Sequence, residues 1–285
     1  MKINKIMVLG GGIMGLGIAQ VLAGAGKTVL VRDLNDELVA GAKSRLEAGQ
    51  AKLVSKGKKS QADMDALVAN VGYTTTLKDA ADCDLIIEAA VENLEIKKQI
   101  FGELDEICKP ETIFASNTSS YSITAIGAAT KRSERMIGLH FFNPALVMKL
   151  VEVIRGLNTG DEAFQAAYDL MKEAGKTPIE AGEGPGFVVN RILVPMVNEG
   201  IFVLQEGLAS AEDIDIGLQL GANLPMGPLH LADLIGLDTC LAIMETFHAE
   251  TGDSKYRPAP LLRKMVRAGK LGQKNGEGFF KYDKK

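Results

Sequence analysis

The chain has 285 residues, of which 46% are hydrophobic and 24% charged, with a formal net charge of −4 at pH 7. That length is long for one domain and comfortable for two, and the composition excludes disordered and fibrous classes. The acidic balance supplies no general attraction for nucleic acid, and no run of about 18 apolar residues is present to span a membrane.

In chain order, β-branched apolar runs at 5–10, 28–33, 84–88, 112–116, 136–140 and 149–154 predict strands. Helical periodicity lies between most of them, at 14–25, 37–56 and 93–107. Strands alternating with helices imply βαβ units and a mainly parallel sheet covered on both faces. A last strand is expected at 176–180, after which Glu183-Gly184-Pro185-Gly186 punctuates the chain. From there the pattern is helical only, at 187–205, 211–220, 229–234, 239–250 and 261–268. Two domains are therefore expected, an α/β domain over 1–183 and a smaller all-helical one over 184–285. The three cysteines, Cys83, Cys108 and Cys240, are odd in number, widely spaced and without metal-ligand spacing. They predict free thiols in a reducing compartment and no metal. The first apolar run stops at Gly10-Gly11-Gly12, which is not the shape of a signal peptide, so a cytoplasmic location is expected.

The string Gly10-Gly11-Gly12-Ile13-Met14-Gly15 satisfies G-x-G-x-x-G, follows a strand-like run and opens a helix. In such a turn Gly10 makes the tight bend, Gly12 lets the backbone approach a pyrophosphate, and Gly15 lets helix and sheet pack closely. The helix N-terminus, with Ile13 and Met14 in its first turn, presents unpaired N–H groups to that anion. Asp33 ends the second strand, 18 positions after Gly15. Its carboxylate suits the adenosine ribose hydroxyls and repels a 2′-phosphate, which favours NAD over NADP, although Arg32 beside it softens that preference. The competing reading is a glycine turn closing an ordinary βα unit. Together these features give the fold class as α/β, a Rossmann-type, mainly parallel sheet followed by a smaller all-helical C-terminal domain.

His140 ends its strand, where ligands of open α/β sheets sit, and Phe141-Phe142-Asn143-Pro144 follows. Glu152 is a carboxylate inside the apolar run Leu150-Val151-Glu152-Val153-Ile154, where it needs a partner. A His140–Glu152 pair satisfies it and gives a group that exchanges protons near neutral pH; a structural strand-end histidine with Glu152 facing solvent fits the spacing as well. His230 and His248 read as structural or surface residues. The cluster Ser116-Asn117-Thr118-Ser119-Ser120 suits a substrate or cofactor oxygen but is equally ordinary turn chemistry, with Ser122 capping the next helix. Lys52, Lys56, Lys58 and Lys59 form a basic cluster suited to a phosphate-bearing ligand or simply to solvent.

These strings resemble the 3-hydroxyacyl-CoA dehydrogenase family, and within it the short bacterial 3-hydroxybutyryl-CoA dehydrogenases. The resemblance covers essentially the whole chain. It includes Val91-Glu92-Asn93-Leu94 with Lys97, Ala115-Ser116-Asn117-Thr118-Ser119-Ser120 and Gly138-Leu139-His140-Phe141-Phe142-Asn143-Pro144. Pro185-Gly186-Phe187-Val188-Val189-Asn190-Arg191, Pro225-Met226-Gly227-Pro228 and Gly276-Glu277-Gly278-Phe279-Phe280 continue it. The resemblance implies reversible oxidation of an (S)-3-hydroxyacyl-CoA by NAD. His140 is then the acid/base, Glu152 its partner, Ser119 a contact to substrate and nicotinamide, and Asn190 an active-site amide. Glu92, Lys97, Asn143 and Lys274 fall where the family contacts cofactor, and Lys52 and Lys56 where it holds the CoA phosphates. Two positions depart from it: Leu146 stands where relatives commonly carry a second proline, and His230 where they often have glutamate. The rival readings are an NAD-binding relative without catalysis and a β-hydroxyacid dehydrogenase acting on a free acid, which would use a lysine acid/base. With the family as background, the apolar stripe of Ile192, Val194, Met196, Ile201 and Val203 predicts a homodimer or larger assembly through the helical domain.

Overall fold

The computed structural model describes residues 2–283, and the chain divides into one compact unit through Gly184 and a second from Pro185. In the first unit the elements run β1 (Lys5–Leu9), α1 (Ile13–Gly24), β2 (Thr28–Arg32), α2 (Asp36–Ser55), α3 (Gln61–Ala69) and β3 (Val71–Thr74). They continue with β4 (Leu85–Glu88), α4 (Leu94–Ile107), β5 (Ile113–Ser116), α5 (Ile123–Gly127), β6 (Met136–Phe141), β7 (Leu150–Arg155), α6 (Asp161–Glu173) and β8 (Thr177–Gly182). The described strands form one eight-stranded sheet in the order β3-β2-β1-β4-β5-β6-β7-β8. Every neighbouring pair is parallel except β6 with β7.

The apolar runs behave as a sheet covered on both faces requires. All of β4, β5 and β6 is buried, and Ile6, Val8, Ile87 and Ala115 join one core with Ile18 and Leu22 of α1. Asn35, Ser60, Asn93 and Ser122 each cap a following helix through a side-chain oxygen, Ser122 to the Ala125 N–H as its position suggested. The lone antiparallel pair follows from chain length. Between Phe141 and Leu150 there is no room for the crossover of a dozen or more residues that a parallel neighbour requires, so the chain turns back. Strand β3 and helix α3 had no counterpart in the sequence reading: β3 has four residues, one of them Gly72, and shows no clear alternation.

The second unit contains α7 (Val189–Gln205), α8 (Ala211–Gly221), α9 (Pro228–Ile235), α10 (Leu237–Thr251) and α11 (Pro260–Arg267). Val197, Ile201, Leu229, Leu237 and Leu262 fill its main core, and Val194 joins Met244, Phe247 and Tyr256 in a second cluster. The stripe expected to face a second copy is therefore largely spent inside the unit. Val194 and Ile201 are buried and Met196 and Val203 half-buried, while Ile192 alone of the five is exposed. Two buried carboxylates organise the unit's loops. Asp215 accepts the Leu229 and His230 N–H groups at the start of α9 and bonds the His230 ring at 2.6 Å, and that ring stacks on Phe280. His230 is thus engaged within the unit by Asp215 and Phe280, and His248 is exposed.

Asp233, fully buried, accepts N–H groups of Phe279 and Phe280 and the Tyr282 hydroxyl, pinning the C-terminal segment. Burial and that contact push the Tyr282 hydroxyl well above its ordinary value. Asp233→Ala leaves two half-buried amides without their acceptor, and hydrogen bonds to a charged group contribute about 1.5–3 kcal/mol each. The variant is expected to lose roughly 3 kcal/mol from the helical unit, read as a lowered urea midpoint with early proteolysis near Tyr282.

Candidate active site

The glycine turn is built as a dinucleotide cradle needs. Gly10 has φ of +99°, and a Cβ there would lie 2.6 Å from the Ala89 carbonyl oxygen. A Cβ on Gly15 would sit 1.8 Å from the Gly10 oxygen, so α1 starts hard against the turn. Gly12 faces open space, with nothing within 4 Å of its missing Cβ, and caps α1 without any side-chain bond. The first-turn N–H groups therefore point to a surface where an anion fits. Ile13 is exposed beside it, and Met14 packs inward against the sheet core. Asp33 accepts the Gly11 N–H at 2.8 Å and the Leu34 N–H at 2.8 Å, so the same carboxylate that suits a ribose also holds the turn. Arg45, from α2, donates to the Gly11 oxygen at 3.0 Å, while Arg32 is drawn to the Thr75 oxygen. Nothing in the sequence pattern singled out Arg45, because its contact is to a backbone atom 34 residues away. The residues present fit a dinucleotide.

At the carboxyl end of β4 stands Glu88, which is wholly buried. Its carboxylate accepts the Ala90 N–H at 2.7 Å, the Lys97 ammonium at 2.7 Å and the Ser116 hydroxyl at 2.6 Å. Lys97 is 1% exposed and also pairs with Glu92 at 3.0 Å. The resemblance gave Lys97 to the cofactor, yet its ammonium lies inside the protein, committed to two carboxylates. Glu92 in turn accepts the hydroxyls of Thr118 and Ser120. Burial by itself raises the Glu92 carboxyl, but the Lys97 charge, with hydrogen bonds from Thr118, Lys97 and Ser120, outweighs it and holds the group below its ordinary range. Ser119 lies between these two anchored neighbours and is half-buried, and its hydroxyl makes no hydrogen bond among the described residues. Glu88 was legible by the reasoning that found Glu152, since it is a carboxylate closing the apolar run Leu85-Ile86-Ile87.

His140 and Glu152 face each other directly in the antiparallel register of β6 and β7. Glu152 is fully buried and His140 5% exposed, with Nδ1 2.6 Å from Oε2 of Glu152. The Phe142 ring packs on the imidazole at 4.6 Å between centroids. One residue on, the Phe141 N–H donates to Oδ1 of Asn117, whose own N–H donates to the Glu88 carbonyl. The ends of β4, β5 and β6 are thus tied to one another at the carboxyl edge of the sheet, where open α/β folds bind ligands.

The remaining expected positions separate by unit. Asn143 is exposed, before Pro144 across a cis peptide bond. The turn that follows is held by Lys176, which donates to the carbonyls of Ala145 and Met148, and burial pushes its ammonium below the ordinary value. Lys52 and Lys56 are exposed at the end of α2. In the helical unit Asn190 is half-buried in the first turn of α7, and Lys274 is ion-paired with Asp238.

A dinucleotide turn and a buried His–Glu pair at one edge of a single sheet are the equipment of a nicotinamide-dependent dehydrogenase. Residues 5–184 match the family model for the 3-hydroxyacyl-CoA dehydrogenase NAD binding domain, and residues 186–282 match that for the 3-hydroxyacyl-CoA dehydrogenase C-terminal domain. The chain belongs to the 3-hydroxyacyl-CoA dehydrogenase family, and the dinucleotide is NAD. It is 50% identical to a probable 3-hydroxybutyryl-CoA dehydrogenase of Bacillus subtilis, covering 100% of this chain and 99% of the relative. It is 49% identical to a 3-hydroxybutyryl-CoA dehydrogenase of Clostridioides difficile over 98% of this chain and 100% of that protein. Among solved structures, the (S)-3-hydroxybutyryl-CoA dehydrogenase of Ralstonia eutropha superposes with a TM-score of 0.97 at 48% identity, covering 99% of this chain and 100% of that one.

The Glu92 result carries a pH dependence. A carboxyl held below its unfolded value stabilises the fold above that value and loses the contribution as pH falls through the folded one. The advantage of the wild type over Glu92→Gln in urea midpoint is expected to be complete at pH 7 and to vanish in acid, below the ordinary glutamate value of 4.5. An advantage that grows on acidification would contradict the assignment.

Proposed function

We propose that the chain interconverts (S)-3-hydroxybutanoyl-CoA, and short-chain 3-hydroxyacyl-CoAs generally, with acetoacetyl-CoA and its 3-keto counterparts. The observation that carries the reading is the buried His140–Glu152 pair at 2.6 Å, in a chain of this family. Bound NAD would supply the acceptor for the C3 hydride of the hydroxyacyl substrate, and NADH the donor in the reverse direction. His140 removes the hydroxyl proton in the oxidative direction and supplies it in the reverse. With Nδ1 engaged by Glu152, Nε2 is the nitrogen that exchanges this proton, and the carboxylate stabilises the imidazolium that forms. We give Ser119 a hydrogen bond to the substrate oxygen, strongest where charge develops in the transition state. Asn190 is assigned a substrate contact on the resemblance. Gly10, Gly12, Ile13, Met14 and Gly15 seat the pyrophosphate, and Asp33 the adenosine ribose. Glu92, Asn143 and Lys274 are assigned to the cofactor, with Lys97 acting through Glu92. Exposed Lys52 and Lys56 are assigned to the CoA phosphates.

Initial rates with acetoacetyl-CoA and longer 3-ketoacyl-CoAs, each with NADH and NADPH, test the substrate and coenzyme together; free acetoacetate turned over equally well would point to the free-acid class instead. A general acid/base contributes about 10²–10⁴-fold. His140→Ala is expected to fold and bind NADH with normal affinity while losing turnover by that factor, and full turnover in the variant would end the assignment.

We infer self-association through the helical unit, whose Leu208, Ile216 and Leu220 are exposed. Sedimentation at micromolar concentration is expected to return a dimer or larger species, and a monomer would overturn this. No described helix is long and apolar enough to cross a membrane. Three buried free thiols suit the reducing cytoplasm, where we place the reaction.

A further inference from the structure

We propose that Glu88 is a positioning residue of this site, fixing the loop that carries Ser119 through two separate arms. The first arm is direct. Glu88 accepts the Ser116 hydroxyl at 2.6 Å, and the Ser116 oxygen accepts the Thr118 N–H at 3.2 Å. The second arm runs through charge. Glu88 holds Lys97 at 2.7 Å, Lys97 holds Glu92 at 3.0 Å, and Glu92 takes the hydroxyls of Thr118 and Ser120. Thr118 closes the loop on itself by accepting the N–H groups of Ser120 and Tyr121. Ser119 is therefore flanked on both sides by residues whose positions trace back to one carboxylate.

The backbone of the same residue reaches further. The Glu88 carbonyl accepts the Asn117 N–H at 2.8 Å, and the Asn117 side chain accepts the N–H of Phe141, next to His140. Ala89, the next residue, has its carbonyl 2.6 Å from where a Gly10 Cβ would stand. The strand end that carries Glu88 thus abuts the dinucleotide turn, the Ser119 loop and the end of the His140 strand.

A buried ion pair is weak evidence for stability, because a well-packed apolar replacement often does as well. What an apolar residue cannot supply is direction: three donors converge on Glu88 from three segments, and each fixes an angle as well as a distance. The orientation delivered to Ser119 is what we infer the charge is retained for. The inference rests on the reading of Ser119 as a substrate contact, and the experiment separates the two.

Glu88→Gln and Ser116→Ala are each made alone and in a Ser119→Ala background in the full-length protein. kcat and KM are measured with acetoacetyl-CoA and NADH, NADH affinity by fluorescence titration, and stability by thermal unfolding. Glu88→Gln is expected to lower kcat about 10-fold with Ser119 present and less than about 2-fold without it, a coupling within the range of contacting residues. Ser116→Ala, which leaves every charge in place, is expected to show a smaller loss with the same non-additivity. If Glu88→Gln does not fold, the Ser116 cycle decides. Equal fold-losses in both backgrounds, or an unchanged kcat with only a lowered melting temperature, overturn the proposal while leaving Ser119 in its role. A Ser119→Ala protein with full turnover removes the reading of Ser119 itself, and this proposal falls with it.

Discussion

A carboxylate that ends up at the interior edge of a sheet has to be matched by a donor in the same interior, because neither solvent nor distance relieves it. Two such groups, Glu88 on β4 and Glu152 on β7, shape this site. Lys97 and the Ser116 hydroxyl meet the first, and the His140 ring meets the second. The two solutions differ in chemistry. The first joins an ammonium and a hydroxyl to a carboxylate and keeps a loop in place, whereas the second sets a carboxylate against the imidazole to which we assign the proton transfer. One edge of the sheet consequently holds the frame of the Ser119 loop and the His140–Glu152 pair side by side, joined through Asn117.

The reversal of chain direction after β6 is what makes the second pair possible. In antiparallel register residues sit directly opposite one another, with Cβ atoms about 4.5–5.5 Å apart, and His140 is opposite Glu152. The short connection that forbids a crossover helix is thus also the reason a histidine at the end of one strand finds a glutamate early in the next.

Much of this was legible in the sequence, for reasons that can be named. Strands buried on both faces announce themselves as short apolar runs, as Leu85-Ile86-Ile87 and Met136-Ile137-Gly138-Leu139 do. The glycine turn is legible because its backbone geometry tolerates little else: Gly10 and Gly15 would collide with carbonyl oxygens if they carried a Cβ. Glu152 stood out as a charge within a strand. What stayed hidden depends on long-range packing. Strand β3 is a short edge element that forms because α3 returns the chain beside β2, not because its own residues insist on it. Lys97 stands four and seven residues before Phe101 and Leu104 on the buried face of α4, but its charge reads as a surface residue until the positions of Glu88 and Glu92 are known. The stripe on α7 misled for a related reason. Val194 and Ile201 have partners in α9, α10 and α11, which periodicity within a single helix does not reveal. Asp215 serves backbone amides 14 and 15 residues away and Asp233 amides 46 and 47 away, contacts that leave no local trace.

The grip of Lys176 on the segment after Pro144 engages main-chain oxygens and no side chain. Every amino acid carries that oxygen, so the anchor is indifferent to what occupies 146, 147 and 148. Leu146, Val147 and Met148 are all exposed. The backbone path beside Asn143 is thereby held by contacts that do not depend on the side chains along it.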